Sequence, residues 1–392
     1  MKHAKPNQSI LGMHWLHVSV VMIYWLRALA VVPVILFHYR VAPFTGGFVG
    51  VDVFFVISGF LITSLIHNEM AQKKFSVGHF YERRVRRIFP AQFLVLAASA
   101  IVGAILLFPG DLKRFGESLQ ATIVFGSNFL FNNTAGYWDV AAQRKPLLHT
   151  WSLAVEEQYY LLFPAILYLA AKGGEKIQRL VIAAILVISL ALSIWGVRAA
   201  PTAAFYLLPF RAWELMLGGM IAIGGVSAPE ARWLREVLCA AGAALILWSV
   251  FAYSSETKFP GEAAIAPCLG AALLILAGEG ASVTSAVLAS SPLRAIGLIS
   301  YSLYLWHWVI LVFTKYMLFR DLDATETTIA IALSFAAATA SWRFVELPFR
   351  DRKNFTRRRI FLLALVASLI GIGVGALFDL TDGLPQRYDA HI

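Results

Sequence analysis

Apolar stretches of roughly 20 residues recur along nearly the whole chain, and that recurrence predicts the architecture. A bilayer core about 30 Å thick needs about 20 apolar residues of helix to cross it. Segments of this kind fall near 22–42, 48–68, 88–108, 150–171, 178–197, 204–225, 235–253, 262–279, 296–318, 326–347 and 358–378. They predict an all-α polytopic membrane protein with about eleven transmembrane helices and no soluble domain. Residues 118–134 are too short and too polar to span, and are expected as an interfacial or re-entrant helix. Residues 1–21 are weakly apolar, carry His3, His14 and His17, and lack a clear cleavage site, so they read as a lead-in and not as a signal peptide. The expected division is a lead-in at 1–21, the main transmembrane domain at 22–350, a final helix at 351–379 and an extracytoplasmic tail at 380–392.

Composition agrees with this pattern. The chain is 59% hydrophobic and 14% charged, where soluble domains run near 25% charged. The net charge of +10 is therefore read as loop charge of a membrane protein, not as a nucleic-acid footprint. Cys239 and Cys268 lie in apolar segments and read as packed residues, with no disulfide or metal framework. Basic residues gather in alternate loops: Lys73 to Arg87, Lys172 to Arg179, Arg232 with Arg235, Arg294, and Arg350 to Arg359. The intervening loops are mixed in sign, with Asp111, Arg114, Glu117, Asp139, Arg144 and Lys145 in one of them. The positive-inside rule then places the N-terminus in the cytoplasm and the C-terminus outside.

Ionisable residues inside apolar segments are costly, so each of them is a candidate for function. Arg27 and His38 stand eleven residues apart in the first segment. At roughly 100° and 1.5 Å per residue they share a helix face about 16 Å apart. Two readings fit: a cation and a base lining one path, or two side chains snorkelling to opposite surfaces. Asp52 opens the second segment after Gly46, Gly47 and Gly50. A carboxylate there can orient a histidine or cap the helix. Arg83, Arg84, Arg86 and Arg87 form a dense basic run. It suits phosphate groups through bidentate contacts, and equally suits anchoring on anionic lipid. His149, Ser152 and Glu156 follow Pro146 at spacings that put them on one helix face. A collinear set of that kind does not have the geometry of a nucleophilic triad. His307 lies between Trp306 and Trp308, either lining a cavity or buried in the packing. Glu346 and Arg350 are in i,i+4 register around Pro348, which reads as a structural helix end.

Taken in order, these blocks resemble the integral-membrane acyltransferase family 3, the O-acetylating enzymes of bacterial surface polysaccharides. The resemblance covers roughly residues 24–350. It rests on Arg27-x10-His38, Gly50-Val-Asp52-Val-Phe-Phe-Val-Ile-Ser-Gly59, Tyr81-x-Arg83-Arg84-x-x-Arg87-Ile-x-Pro90, Trp151-Ser-Leu-Ala-Val-Glu156, Tyr304-Leu-Trp-His307 and Val345-Glu346-x-Pro348. It implies an enzyme of the bacterial inner membrane. Acetyl-CoA or another acyl-CoA would be the donor, no metal is involved, and the acceptor is a glycan or lipid-linked glycan such as lipopolysaccharide O-antigen or exopolysaccharide. By the same resemblance Arg27 and His38 are the essential pair, joined by Asp52 and Glu156 as catalytic candidates. Arg83, Arg84 and Arg87 serve the donor, and His149, Ser152 and His307 are the substrate-binding candidates. Two features depart from the family. Tyr24-Trp25 stands where Asp-Gly is usual before Leu26-Arg27. Leu380 to Arg387 resembles a linker to an extracytoplasmic SGNH hydrolase-like domain. The alternative from another class is a proton-coupled transporter of a glycan or lipid. That reading needs relays across the bilayer and paired broken helices, neither of which the sequence offers.

Overall fold

The computed structural model describes residues 8–134, 144–226, 228–278 and 291–387, with side chains from residue 22 onward. Helix is the only regular structure among them. Each of the eleven apolar segments falls on helix: α1 (Gln8–His38), α2 (Gly50–Ala71), α3 (Val77–Leu106), α6 (Thr150–Ala171), α7 (Glu175–Ala199), the pair α8 (Pro201–Tyr206) and α9 (Leu208–Ala222), α10 (Arg232–Ala252), α11 (Ile265–Ala277), α12 (Ser291–Leu318), α13 (Ala324–Ser341) and α15 (Arg357–Leu380). The expected interfacial segment is two helices, α4 (Pro109–Ile123) and α5 (Ser127–Thr134), and α14 (Leu347–Arg350) follows a π-helical turn after α13. Seven of the described helices are long and apolar enough to cross a membrane by length and composition. Large apolar side chains such as Leu180, Val187 and Ile188 of α7 and Leu362, Leu365 and Leu369 of α15 are exposed. Such faces are a liability in water and the ordinary boundary of a protein dissolved in lipid.

The sequence pattern misses the helix starts in two places. The first helix begins at Gln8, so residues 8–21 of the expected lead-in are helical. The third begins at Val77, so the arginine run lies inside the helix and not in the loop before it. The reason is local. Arg86 is buried, its Nε donates to Glu82 Oε1 at 3.0 Å, and its Nη1 and Nη2 donate to the carbonyls of Phe349 and Phe355 at 3.2 and 2.7 Å. A buried charge persists only when it is paired and hydrogen-bonded, and here one helical turn supplies the pair.

Contacts divide the chain into two compact units. The first comprises Met1–Ser64, Glu214–Thr257 and Glu262–Ser300. Its helices meet with almost no side chain between them. A Cβ on Gly59 would lie 1.8 Å from the Leu215 carbonyl oxygen, and one on Gly242 would lie 2.7 Å from that of Gly270. Lipid gives no hydrophobic drive for helices to associate, so close backbone approach at small residues holds them by dispersion.

The second unit comprises Leu65–Trp213, Lys258–Gly261 and Tyr301–Ile392. Its apolar core includes Val95, Leu112, Phe115, Leu119, Leu305, Val309 and Phe378. Amphipathic α4 lies against α15, where a Cβ on Gly116 would approach the Gly375 carbonyl oxygen to 2.6 Å. The chain after α15 folds back on the start of α4, with Arg387 Nη2 donating to the Leu107 carbonyl at 2.9 Å. Arg211 is buried with its guanidinium over the rings of Trp151, Phe205 and Phe259 at 5.5, 5.3 and 5.3 Å.

Glu82→Ala is expected to leave Arg86 buried without its carboxylate, at a cost of about 3–5 kcal/mol. Thermal unfolding in detergent should show a clear drop in midpoint. The double variant Glu82→Leu/Arg86→Met should recover much of it, whereas equal loss in both would mean that the carbonyl contacts dominate.

Candidate active site

Arg27 and His38 lie on one uninterrupted helix, both half-buried, with Pro33 between them. The turn Gly47–Val49 and the start of α2 are pressed onto that part of α1. A Cβ on Gly47 would meet the Pro33 carbonyl oxygen at 2.0 Å, and one on Gly50 would meet that of Ala30 at 2.2 Å. Glycine is required here because backbone packs directly on backbone. Phe48 sets its ring edge-on to Phe37 at 5.3 Å, and Phe37 neighbours His38 at 5.4 Å. The glycine block read from the sequence is therefore the device that brings the start of α2 onto α1 between Arg27 and His38.

Asp52 is buried, 1% exposed, in the first turn of α2. The structure sets it with two residues that the sequence reading did not select. Asp52, Glu214 and Cys268 each place a ligand-type atom within 4.8 Å of the others, all three buried. They are the one set of His, Cys, Asp and Glu among the described residues with the spacing of a metal cage. Two carboxylates so close can also share one proton, and no step below runs through a metal. Glu214 had a signal in the sequence, since it stands within Trp213-Glu-Leu-Met-Leu217. An acid in an apolar run carries the same weight as Arg27.

The second unit gathers the remaining candidates in two clusters. In the first, His149, Ser152, Tyr304 and His307 are all buried. Tyr304 donates its phenolic hydrogen to the His149 carbonyl at 3.0 Å and meets Ser152 Oγ at 2.7 Å. The His149 and His307 rings stand 6.1 Å apart, with the Tyr304 ring 5.6 and 5.5 Å from them. His149 precedes α6, which begins at Thr150, four residues after Pro146. Of the three residues expected on one face, His149 and Ser152 meet in this cluster, while Glu156 accepts from Tyr160 beside the arginines. Ser152 Oγ donates to the His149 carbonyl at 3.2 Å, and Tyr304, quoted in the motif without a role, bonds to both.

The other cluster surrounds the arginines. Arg83 pairs with Glu69 at 2.9 Å. Arg84 stacks over Phe80 and Tyr160 at 5.9 and 5.8 Å. Glu156 accepts from the Tyr160 hydroxyl at 3.1 Å. Glu157, absent from the sequence-based candidates, lies in the field of both Arg84 and Arg87. Its neighbour Glu156 drew the attention because of its spacing from His149. Arg86, by contrast, is fully committed to structure, which separates it from the other three. Glu346 is buried, accepts from Ser302 and pairs with Arg350 at 2.6 Å, the helix-end role its register suggested.

The first unit thus sets a buried carboxylate against the helix that carries Arg27 and His38, and the second holds an arginine cluster. The family is settled by comparison: the acyltransferase domain model matches residues 10–343, and the chain belongs to that family. Peptidoglycan O-acetyltransferase OatA of Listeria monocytogenes is 31% identical over 361 residues, covering 86% of this chain and 58% of that protein. O-acetyltransferase OatA of Staphylococcus aureus is 30% identical over 392 residues, covering 93% of this chain and 64% of it. An uncharacterized protein of Haemophilus influenzae is 36% identical over 236 residues, 57% of this chain and 96% of its own length. The chain thus spans 58 to 64% of the length of these OatA proteins. No solved structure matches it.

Tyr304→Phe is expected to cost about 1–3 kcal/mol, because the His149 carbonyl and the Ser152 hydroxyl then share a buried site with no phenol. Thermal unfolding of the purified protein checks this. An unchanged midpoint would show that Tyr304 does not hold α6 and α12 together.

Proposed function

We propose that this protein is an O-acyltransferase of the bacterial inner membrane that moves an acetyl group from cytoplasmic acetyl-CoA to a hydroxyl of an extracytoplasmic glycan. Family membership and the OatA relatives support acetyl transfer to a glycan over the transporter alternative. The observation that carries the reading is the arrangement on α1: a cation and a titratable base on one helix face, with the glycine-packed start of α2 bringing buried Asp52 to that helix.

In this reading His38 takes the proton of a glycan hydroxyl as its oxygen attacks the thioester carbonyl. The tetrahedral intermediate collapses, the carbon–sulfur bond breaks, and the CoA thiolate takes up the proton from the imidazolium. General-base help of this kind is worth about 10²–10⁴-fold. Asp52 adds a buried carboxylate to the helix pair that carries Arg27 and His38. Arg27 stabilises negative charge on the donor or on the reacting carbonyl. Arg84 and Arg87, with Arg83 beside them, bind the phosphates of CoA, for which guanidinium forks are suited. Glu156, His149, Ser152 and His307 supply polar contacts to substrate in the second unit. The acceptor is a surface glycan. Peptidoglycan, the substrate named for a relative, and lipopolysaccharide O-antigen or exopolysaccharide are the classes to test.

His38→Ala should abolish transfer of labelled acetyl groups while the protein still inserts and purifies normally. Normal transfer by that variant would remove the general-base assignment. Arg27→Lys should also fail, because lysine keeps the charge and loses the fork. Arg84→Ala and Arg87→Ala should raise the KM for acetyl-CoA more than that for the glycan. If they change only insertion, the arginines serve as a lipid anchor. A reporter fused after Ile392 that is active only outside the cytoplasm should give signal, as the positive-inside rule requires. Signal from a cytoplasm-only reporter would reverse the orientation.

A further inference from the structure

The second unit carries a polar cleft that the proposed chemistry does not use. It has a volume of about 330 Å³ and lies where α3 and α12 end, between Phe108, Asp111, Arg144, Lys315, Tyr316 and Phe319. A smaller hollow of about 140 Å³ adjoins it and shares Asp111 and Arg144. We propose that this cleft binds the acceptor as a carboxylate-bearing glycan segment, with sugar rings against Phe108 and Phe319 and the carboxylate on Arg144. This rests on the acyl-transfer reading above.

Position is the first argument. From Arg84 to Phe108 the chain runs 24 residues, nearly all within α3. At 1.5 Å per residue that is about 36 Å, more than the hydrocarbon core of about 30 Å. The cleft therefore lies at the opposite membrane face from the arginine cluster. With the arginines on the cytoplasmic side, the cleft faces the compartment that holds surface glycans.

The second argument is how its walls are fixed. The Tyr316 hydroxyl accepts from Phe108 N at 2.9 Å and donates to Asp111 Oδ2 at 2.8 Å. Asp111 Oδ1 accepts from Arg114 at 2.7 Å. Lys315 is paired with Asp321 at 2.8 Å, and Arg320 with Glu326 at 2.6 Å. Arg144 differs. It is exposed, lines both hollows, and forms an ion pair with none of the described residues. Asp111 and Asp321 also line the cleft but are held by Arg114 and Lys315, which leaves the Arg144 guanidinium suited to take a carboxylate from a ligand.

The aromatic side chains are the third argument. Phe108 is 48% and Phe319 75% exposed, and with Tyr316 they form a triangle of ring centroids 6.0 to 6.2 Å apart. Phe319 sits just past the end of α12 at φ +55°, where glycine is the usual residue. Such a backbone conformation is costly for a bulky side chain and collects at functional sites. Two open ring faces beside one cation match a sugar acid, which has an apolar C–H face and an anionic edge.

The test uses the whole protein in lipid nanodiscs, with a galacturonic acid hexamer as anionic probe and maltohexaose as its neutral counterpart. Saturation-transfer NMR should show sugar C–H contact for the anionic hexamer. Arg144→Ala and Phe108→Ala/Phe319→Ala should each weaken its binding about tenfold, the factor that 1.4 kcal/mol produces. Arg144→Lys should recover part of the loss. In transfer assays the same variants should raise the KM for glycan and leave kcat and acetyl-CoA affinity unchanged. Equal binding of both hexamers would overturn the role of Arg144. Unchanged glycan binding in the phenylalanine variant, with altered lipid partition, would make the rings a membrane-interface belt and overturn the site. Normal KM in every variant of an active protein would also overturn it, with the acyl-transfer reading intact. Hexamer binding by a wild-type protein that transfers no acetyl group would do the reverse.

Discussion

A charge carried into lipid must be answered by another group of the protein, and this one constraint organises both units. Where the answer is internal, the charge is structural. Arg86 has Glu82 and two backbone carbonyls, Arg211 has three aromatic faces, and Glu346 has Ser302 and Arg350. Leaving any of these half-satisfied would cost more than the whole pair contributes. Arg84, half-buried over Phe80 and Tyr160, is not tied to backbone carbonyls of the described residues as Arg86 is. Sorting charges in this way separates Arg86 from Arg84 and Arg87 although all three lie within four residues.

Close backbone packing is the second organising fact. Gly47 and Gly50 let α2 start directly on α1, and Gly116 meets Gly375 where α4 crosses α15. These contacts set side chains at fixed depths without bulky spacers. The position of Asp52 follows from the first of them, and the chain at Leu107, next to the cleft residue Phe108, is tied down by Arg387. Substituting such a glycine would move a site without touching any residue in it.

Most of the fold was legible in the sequence, because a span written in apolar residues has no rival reading at 20 residues' length. Helix starts were less so. The hydropathy window stops at charge, whereas Glu82 and Arg86 satisfy each other and let α3 begin at Val77. Candidate residues were legible where a charge interrupted an apolar run, as at Arg27, His38 and Asp52. Glu214 carried the same signal and was overlooked, since no nearby motif drew attention to it. The link between Ser152 and Tyr304 joins residues 152 positions apart, and no local pattern encodes such a contact. Arg144 reads from the sequence only as a charge in a mixed loop, because the cleft it lines is assembled with residues more than 170 positions away, Lys315 and Phe319 among them.

The central claim is that an acetyl group crosses the membrane from one substrate to another. The most direct measurement uses proteoliposomes of known orientation, with glycan on one face and labelled acetyl-CoA added to one side at a time. The account predicts label in the glycan only when acetyl-CoA is on the face that carries Arg84 and Arg87, with CoA released on that same face. Labelling that requires acetyl-CoA and glycan on the same side, or no labelling from either side, would contradict it.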